Sequence, residues 1–267
     1  MPLPFVAENP ATIVRLGFKL GKGGVHAART MMLTELRRLL PAIPKDACRS
    51  HYRQAIVDEN LLEKPTVNTR KLTFHHLCGL YALDPEICLF RIFRELWPRD
   101  GAAQPVLALQ MALTRDALLR RSAALVVGTP QGQRFEREVL ERLLSDQADE
   151  RFSAASVKSF ARNINGTWTQ AGFLAGHAKK IRSQPVITPV NVSFSLFLGH
   201  LQGRVARRLF CSDWARVLDL PEERLIELTH AAAQQGLLVF RRTGEVMEVR
   251  FPDYLTQQEQ DWLSEQA

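Results

Sequence analysis

Apolar positions in the first half of the chain recur at intervals of three and four. Over residues 27–40, Met31, Leu33, Leu36, Leu39 and Leu40 fall near helical spacing, with Arg29, Arg37 and Arg38 between them and Pro41 and Pro44 closing the segment. This is the pattern of an amphipathic helix. Tyr52, Ile56, Val57 and Leu61 predict a second helix over 51–62, and residues 69–80 a third. Asp84 before Pro85 suits a helix start, because a capping carboxylate meets free amides and proline lacks one, and Phe90, Phe93 and Trp97 continue that helix. Pro105 opens another through Leu119, and residues 132–144 follow the break at Gly128-Thr129-Pro130. Strand-like alternation is absent up to this point, so the first half reads as helical throughout.

The second half has a different grammar. Ser153 or Ser156 can cap a helix through Val157, Phe160 and Ile164; Asn165-Gly166 reads as a turn; Thr167 can cap a short helix through Leu174; Gly176 ends it. Residues 177–188 are basic and include extended Val186-Ile187. Helix, tight turn, helix and basic extended segment is the order of a winged helix-turn-helix. Residues 189–201 form an apolar helix too short and too interrupted to span a bilayer. Ser212 or Asp213 can cap residues 214–218, and Pro221-Glu222-Glu223 makes a favourable first turn for a helix with Leu225, Leu228, Ala231 and Ala232 as its buried stripe. Gly236 stops it, and residues 237–242 and 245–251 read as two strands joined at Thr243-Gly244. Residues 169–174 and 233–238 echo each other as a shared way of leaving a helix, a glycine followed by apolar residues that anchor in the core.

These elements predict a mainly α protein, a helical N-terminal half followed by winged-helix-like elements and a short C-terminal β-hairpin. The implied division is a helical domain over 1–150 and a basic winged-helix-like domain over 151–267.

Charge sharpens the picture. From Arg151 to Cys211 the chain carries nine cations, Arg151, Lys158, Arg162, Lys179, Lys180, Arg182, Arg204, Arg207 and Arg208, and no Asp or Glu. The net charge of +7 is therefore segregated, since the rest of the chain holds 26 cations against 28 acids. A segregated positive stretch is the electrostatic footprint a polyanion requires, and nucleic acid is the first candidate. A solvated basic face with no ligand is the alternative.

Several other chemistries fit poorly. Residues 17–24, Gly-Phe-Lys-Leu-Gly-Lys-Gly-Gly, invite comparison with a phosphate loop. Three residues separate Gly17 from Gly21 where four are needed, Gly23 stands in place of the metal-binding Ser or Thr, and no strand precedes the segment. A flexible, basic lead-in to the first long helix is the simpler account, with Lys19 and Lys22 adding to a phosphate-binding surface. His75, His76 and Cys78 find no second ligand pair at zinc spacing, so no metal or other cofactor is expected. No strained Gly-x-Ser-x-Gly elbow occurs, Cys211 has no base partner, and Asp58-Glu59 and Arg115-Asp116 are commonplace surface acids, so no enzyme constellation emerges. Cys48, Cys78, Cys88 and Cys211 are scattered, as reduced thiols would be, and no leader or membrane-length apolar run is visible. A soluble, cytoplasmic protein is expected.

Several segments together resemble the BrxA family of bacteriophage exclusion (BREX) phage-defence systems. They are Gly21-Lys22-Gly23-Gly24, the run from Asp58 to Lys64 followed by Thr69-Arg70-Lys71, Leu80-Tyr81-Ala82-Leu83-Asp84, and the run from Thr167 to Leu174. The resemblance covers most of the chain. It implies a small, mainly helical, non-enzymatic DNA-binding component working beside a methyltransferase, a large ATPase and an alkaline-phosphatase-like protein.

The expected function is binding of double-stranded DNA, chiefly through phosphates. The expected contacts are Lys158, Arg162, Arg204, Arg207 and Arg208; Thr167, Thr169 and Gln170 at the start of the recognition helix; Lys179, Lys180 and Arg182 on the first wing; and Arg241 and Arg242 on the second. Arg204, Arg207 and Arg208, at spacings of three and four, would form one helical face. About five phosphate contacts predict a log-affinity against log-salt slope of roughly −4 to −5. An adaptor that docks other BREX proteins through its helical half, or an RNA-binding protein, are the alternatives.

Overall fold

Helices carry the chain from Pro10 to Gly128 before any strand appears, in a computed structural model that describes residues 3, 5, 9–146, 152–244 and 246–264. They are α1 (Pro10–Arg15), α2 (Leu33–Ala42), α3 (Arg49–Arg53, running into a π-helical turn over Gln54–Asp58), α4 (Val67–Tyr81), α5 (Cys88–Leu96), α6 (Gln104–Arg115) and α7 (Ala117–Gly128). A single 3-10 turn, Val25–Ala27, precedes α2. Then come β1 (Arg134–Phe135), α8 (Arg137–Asp146), α9 (Ala154–Gln170), β2 (Leu174–Ala175) and β3 (Lys180–Arg182). The chain continues with α10 (Pro189–Leu201), α11 (Arg207–Phe210), α12 (Asp213–Arg216), α13 (Glu222–Gln234), β4 (Val239–Thr243), β5 (Val246–Arg250) and α14 (Gln257–Ser264). The protein is mostly helical, with two small antiparallel sheets, one ordered β1-β3-β2 and one a β4-β5 hairpin.

Several sequence expectations need correction: the helix expected from Asp84-Pro85 starts only at Cys88, Pro41 lies inside α2, and the helix expected over 132–144 starts at Arg137 after strand β1. Residues 27–32 stay outside α2, because Met32 takes a left-handed φ of 52° and the helix starts only at Leu33. The helix expected through Leu119 breaks at Asp116, whose extended backbone ends α6 and whose carboxylate caps α7 by accepting the Leu119 amide at 3.0 Å. The turn expected at Asn165-Gly166 does not form, and α9 runs through it to Gln170. Gly166 answers a packing need instead: a Cβ there would lie 2.9 Å from the Thr30 methyl group. The helix ends at Gly172, with φ +86°, where the Phe173 amide bonds back to the Trp168 carbonyl at 3.0 Å. Gly176 belongs to the β2–β3 turn, and a Cβ there would strike the Lys179 carbonyl.

The echo between 169–174 and 233–238 is real geometry. At the end of α13, Gly236 takes φ +69° and the Leu237 amide bonds to the Ala232 carbonyl at 3.0 Å, the same closure as at Gly172. Both exits then bury their apolar pair, Phe173 and Leu174 in one, Leu237 and Leu238 in the other.

The core is one continuous apolar cluster holding Trp97, Trp168 and Trp214. At its centre lies α10, in which every residue from 190 to 199 is buried. It packs on α12 and α13 from its own half of the chain and on α6 from the other. Its polar residues are satisfied internally: Gln110 Nε2 donates to the Asn191 carbonyl and to Ser195 Oγ, each at 2.8 Å, and Ser195 Oγ donates to the Trp214 carbonyl at 2.8 Å. No helix among the described residues is long and apolar enough to cross a membrane.

Candidate nucleic-acid interface

The candidate surface starts at α9. Ser153 accepts the Ser156 amide at 3.2 Å and fixes the helix start, and Val157, Phe160, Ala161, Ile164 and Trp168 form the buried stripe. Helical spacing then leaves Lys158 and Arg162, four residues apart, on the exposed side. Neither makes an ion pair among the described residues. Glu138 and Glu141 of α8 line a small groove with Lys158, and Glu141 is held by Arg137 at 2.8 Å.

The C-terminal part of α9 faces inward. Thr167, expected to touch DNA, is fully buried. Its Oγ1 accepts the Met31 amide at 2.9 Å and lies 2.8 Å from His26 Nε2. The other side of that ring, Nδ1, lies 2.8 Å from Asp116 Oδ2, which also accepts the His26 amide at 2.9 Å. Burial pushes the Asp116 carboxyl up, but the His26 ring and amide and the Leu119 amide outweigh it and hold the group below the ordinary carboxylate value. A Cβ on Gly24 would overlap the Asp116 carboxylate, so this residue must be glycine for the lead-in to pass. Carboxylate, imidazole and hydroxyl stand in the order of a nucleophilic triad. All three side chains are sealed from solvent and the hydroxyl is already engaged by an amide, so the arrangement clamps segment 24–31 onto α7 and α9.

The other expected residues divide by exposure. Thr169 is half-buried and donates back to the Asn165 carbonyl at 2.7 Å, while Gln170 is exposed near Thr30. They lie at the end of α9, not at the start of a recognition helix as expected. Lys179 stands exposed in the β2–β3 turn without an ion pair among the described residues. Lys180 is half-buried, its ammonium donates to the Gly176 carbonyl at 2.6 Å, and burial lowers its pKa. Arg182 is not on a wing surface. It is 1% exposed, donates to the Val126 carbonyl at 3.0 Å and the Phe173 carbonyl at 3.2 Å, and pairs with Asp219.

Arg204, Arg207 and Arg208 do not share one helix face. α10 ends at Leu201 and α11 begins at Arg207, so Arg204 sits in the connection, where it lines a groove with Arg208 and Asp213. Arg207 pairs with Glu222 at 3.5 Å, and Arg208 is exposed. Arg241 and Arg242 are exposed on β4, with Arg241 opposite Glu248, which Arg250 already holds at 2.6 Å. Arg151 lies outside the described residues. The sequence reading missed the clamp, for which the one available signal was Asp116 placed as a cap before Ala117-Leu118-Leu119.

No family model matches the chain. No curated protein matches it either.

Proposed function

We propose that the protein binds double-stranded DNA through phosphate contacts and performs no catalysis. The observation that carries this reading is α9, which offers Lys158 and Arg162 on its exposed side and runs on into a short hairpin carrying Lys179 in its turn. Helix, strand, two helices and a hairpin in the order α7, β1, α8, α9, β2, β3, with sheet order β1-β3-β2, correspond to a winged helix. α9 is then the recognition helix, and such helices enter the major groove by their N-terminal turns. Segment 24–31 covers the opposite end of α9, which agrees with that direction of approach. The second winged-helix-like unit, α10 to β5, adds Arg208 and the rim arginines of β4.

Lys158, Arg162, Lys179 and Arg208 as phosphate contacts lower the expected slope to roughly −3 to −4, at about −0.9 per contact. Fluorescence anisotropy with a random duplex across a salt series tests this. A straight log–log decline is expected; a flat response, or no binding at low salt, removes the reading. Membership of a BREX locus is supported only by the resemblance of the segments named above, and its test is loss of phage protection when the intact locus carries Lys158→Ala with Arg162→Ala.

A further inference from the structure

A cleft of about 1090 Å³ opens between the glycine-rich lead-in, the start of α3 and the C-terminal ends of α4 and α6. Lys19, Arg49 and Arg115 converge on it with His75 and His76, and Asp84 is the one carboxylate in the lining among the described residues. The Lys19 amide bonds to the Thr114 carbonyl at 3.0 Å, which sets this lysine beside Arg115. Among the described residues Arg115 is held by uncharged carbonyls alone, those of Gly79 at 3.1 Å, Cys78 at 3.4 Å and Gly17. Arg49 lies over the Phe74 ring at 5.9 Å. None of the three cations makes an ion pair among the described residues. Burial and the Arg115 charge depress the Lys19 ammonium, and burial brings the Arg115 guanidinium down to about 10. Like charges gathered with no acid paired to them among the described residues repel one another and favour an anion between them.

Two further observations point the same way. Gly21 and Gly23 on the rim have no left-handed φ, and a Cβ at either would meet open space, so neither backbone conformation nor packing demands glycine. Their amides donate to no atom among the described residues. His76 Nδ1 is shut off from solvent without a partner.

We propose that this cleft binds a phosphate-bearing small molecule of nucleotide size, with the phosphate between Lys19, Arg49 and the amides of the glycine-rich lead-in. The cleft is ample for such a ligand, since small-molecule sites span about 300–1,000 Å³. The site is separate from α9 and does not rest on the DNA reading. The same phosphate chemistry could come from a nucleic-acid backbone, which the experiment separates.

Calorimetry on the full chain, with ATP and inorganic pyrophosphate as probes, tests the proposal. One ATP per chain is expected, with affinity falling about tenfold or more in Lys19→Ala and in Arg49→Ala, each of which removes a charged hydrogen bond. Gly23→Asp, which places a carboxylate in open space, is expected to abolish binding with the fold unchanged by circular dichroism. Lys158→Ala is expected to leave ATP affinity unchanged. Absence of heat with both probes, or ATP affinity unaltered in Lys19→Ala and Arg49→Ala, overturns the proposal. So does a result in which neither probe binds and only a random duplex loses affinity in those variants, because the cations then belong to a DNA track.

Discussion

The two segments that pass from helix to hairpin, α8 to β3 and α12 to β5, leave their long helices by the same closure but treat their cations in opposite ways. In the first, Lys158, Arg162 and Lys179 stand exposed without carboxylate partners among the described residues, while Arg137 pairs with Glu141 within α8 and the buried Arg182 pairs with Asp219. In and around the second, paired cations dominate: the half-buried Arg216 with Asp213 at 3.3 Å, and on the surface Arg224 with Glu227 at 2.8 Å, Arg207 with Glu222 at 3.5 Å and Arg250 with Glu248. Segregated sequence charge becomes available charge only where nearby acids are engaged elsewhere, as Glu141 is by Arg137 beside Lys158. Pairs this exposed contribute little to stability, about 0–1 kcal/mol, but they subtract from the field a polyanion would feel.

The largest expected effect is at the joint between the segments. Arg182→Ala removes the partner of the half-buried Asp219 and three carbonyl bonds made by a buried guanidinium, and should cost about 3 kcal/mol by urea unfolding, chiefly through the carbonyls left without a donor. A loss below about 1 kcal/mol would show the joint to be as weak as a surface pair. Next comes the clamp on α9. Thr167→Val keeps shape but strands the Met31 amide and the His26 ring, and should cost about 1–3 kcal/mol.

The same clamp gives the first segment an acid sensitivity. Asp116 is held below its ordinary value in the folded state, so its stabilisation is fully present above the unfolded carboxylate pKa and is lost as pH falls through the lowered folded one. Asp116→Asn should flatten this acid limb in a pH series of unfolding curves, and an unchanged limb would place the sensitivity elsewhere.

For DNA the comparison predicts unequal returns. Lys158→Ala with Arg162→Ala should reduce the salt slope by about two, whereas Arg207→Ala, already paired with Glu222, should change it by less than one. Equal changes would erase the distinction between the segments. The smallest effects belong to what they share: Gly172→Ala and Gly236→Ala should each cost about 1–2 kcal/mol, since both force a side chain into a left-handed conformation.

What could be read from the sequence follows from how local each signal is. The helical stripes of α9 and α13 and the Gly236 exit depend on residues a turn apart and are legible, whereas the first exit is ambiguous between Gly172 and Gly176 until the Phe173 amide closes it at Gly172. Asn165-Gly166 was misread because the same pair suits a turn or a tight helix crossing, and only the position of Thr30 decides between them. Charge segregation was legible, but its cancellation was not: Arg182 meets an acid that lies beyond the acid-free stretch, and Thr167 meets His26 from the opposite end of the chain. The Lys19, Arg49 and Arg115 cluster was invisible for the same reason, as no periodicity links positions so far apart.

α10 has no outward side to show. With α6 against it from one half of the chain and α12 and α13 from the other, a gene fragment ending before residue 189 would leave α6 with a bare greasy seat, and one beginning there would leave α10 uncovered. Either piece made alone should be retained by chaperones or precipitate, and the two should become soluble only when produced together.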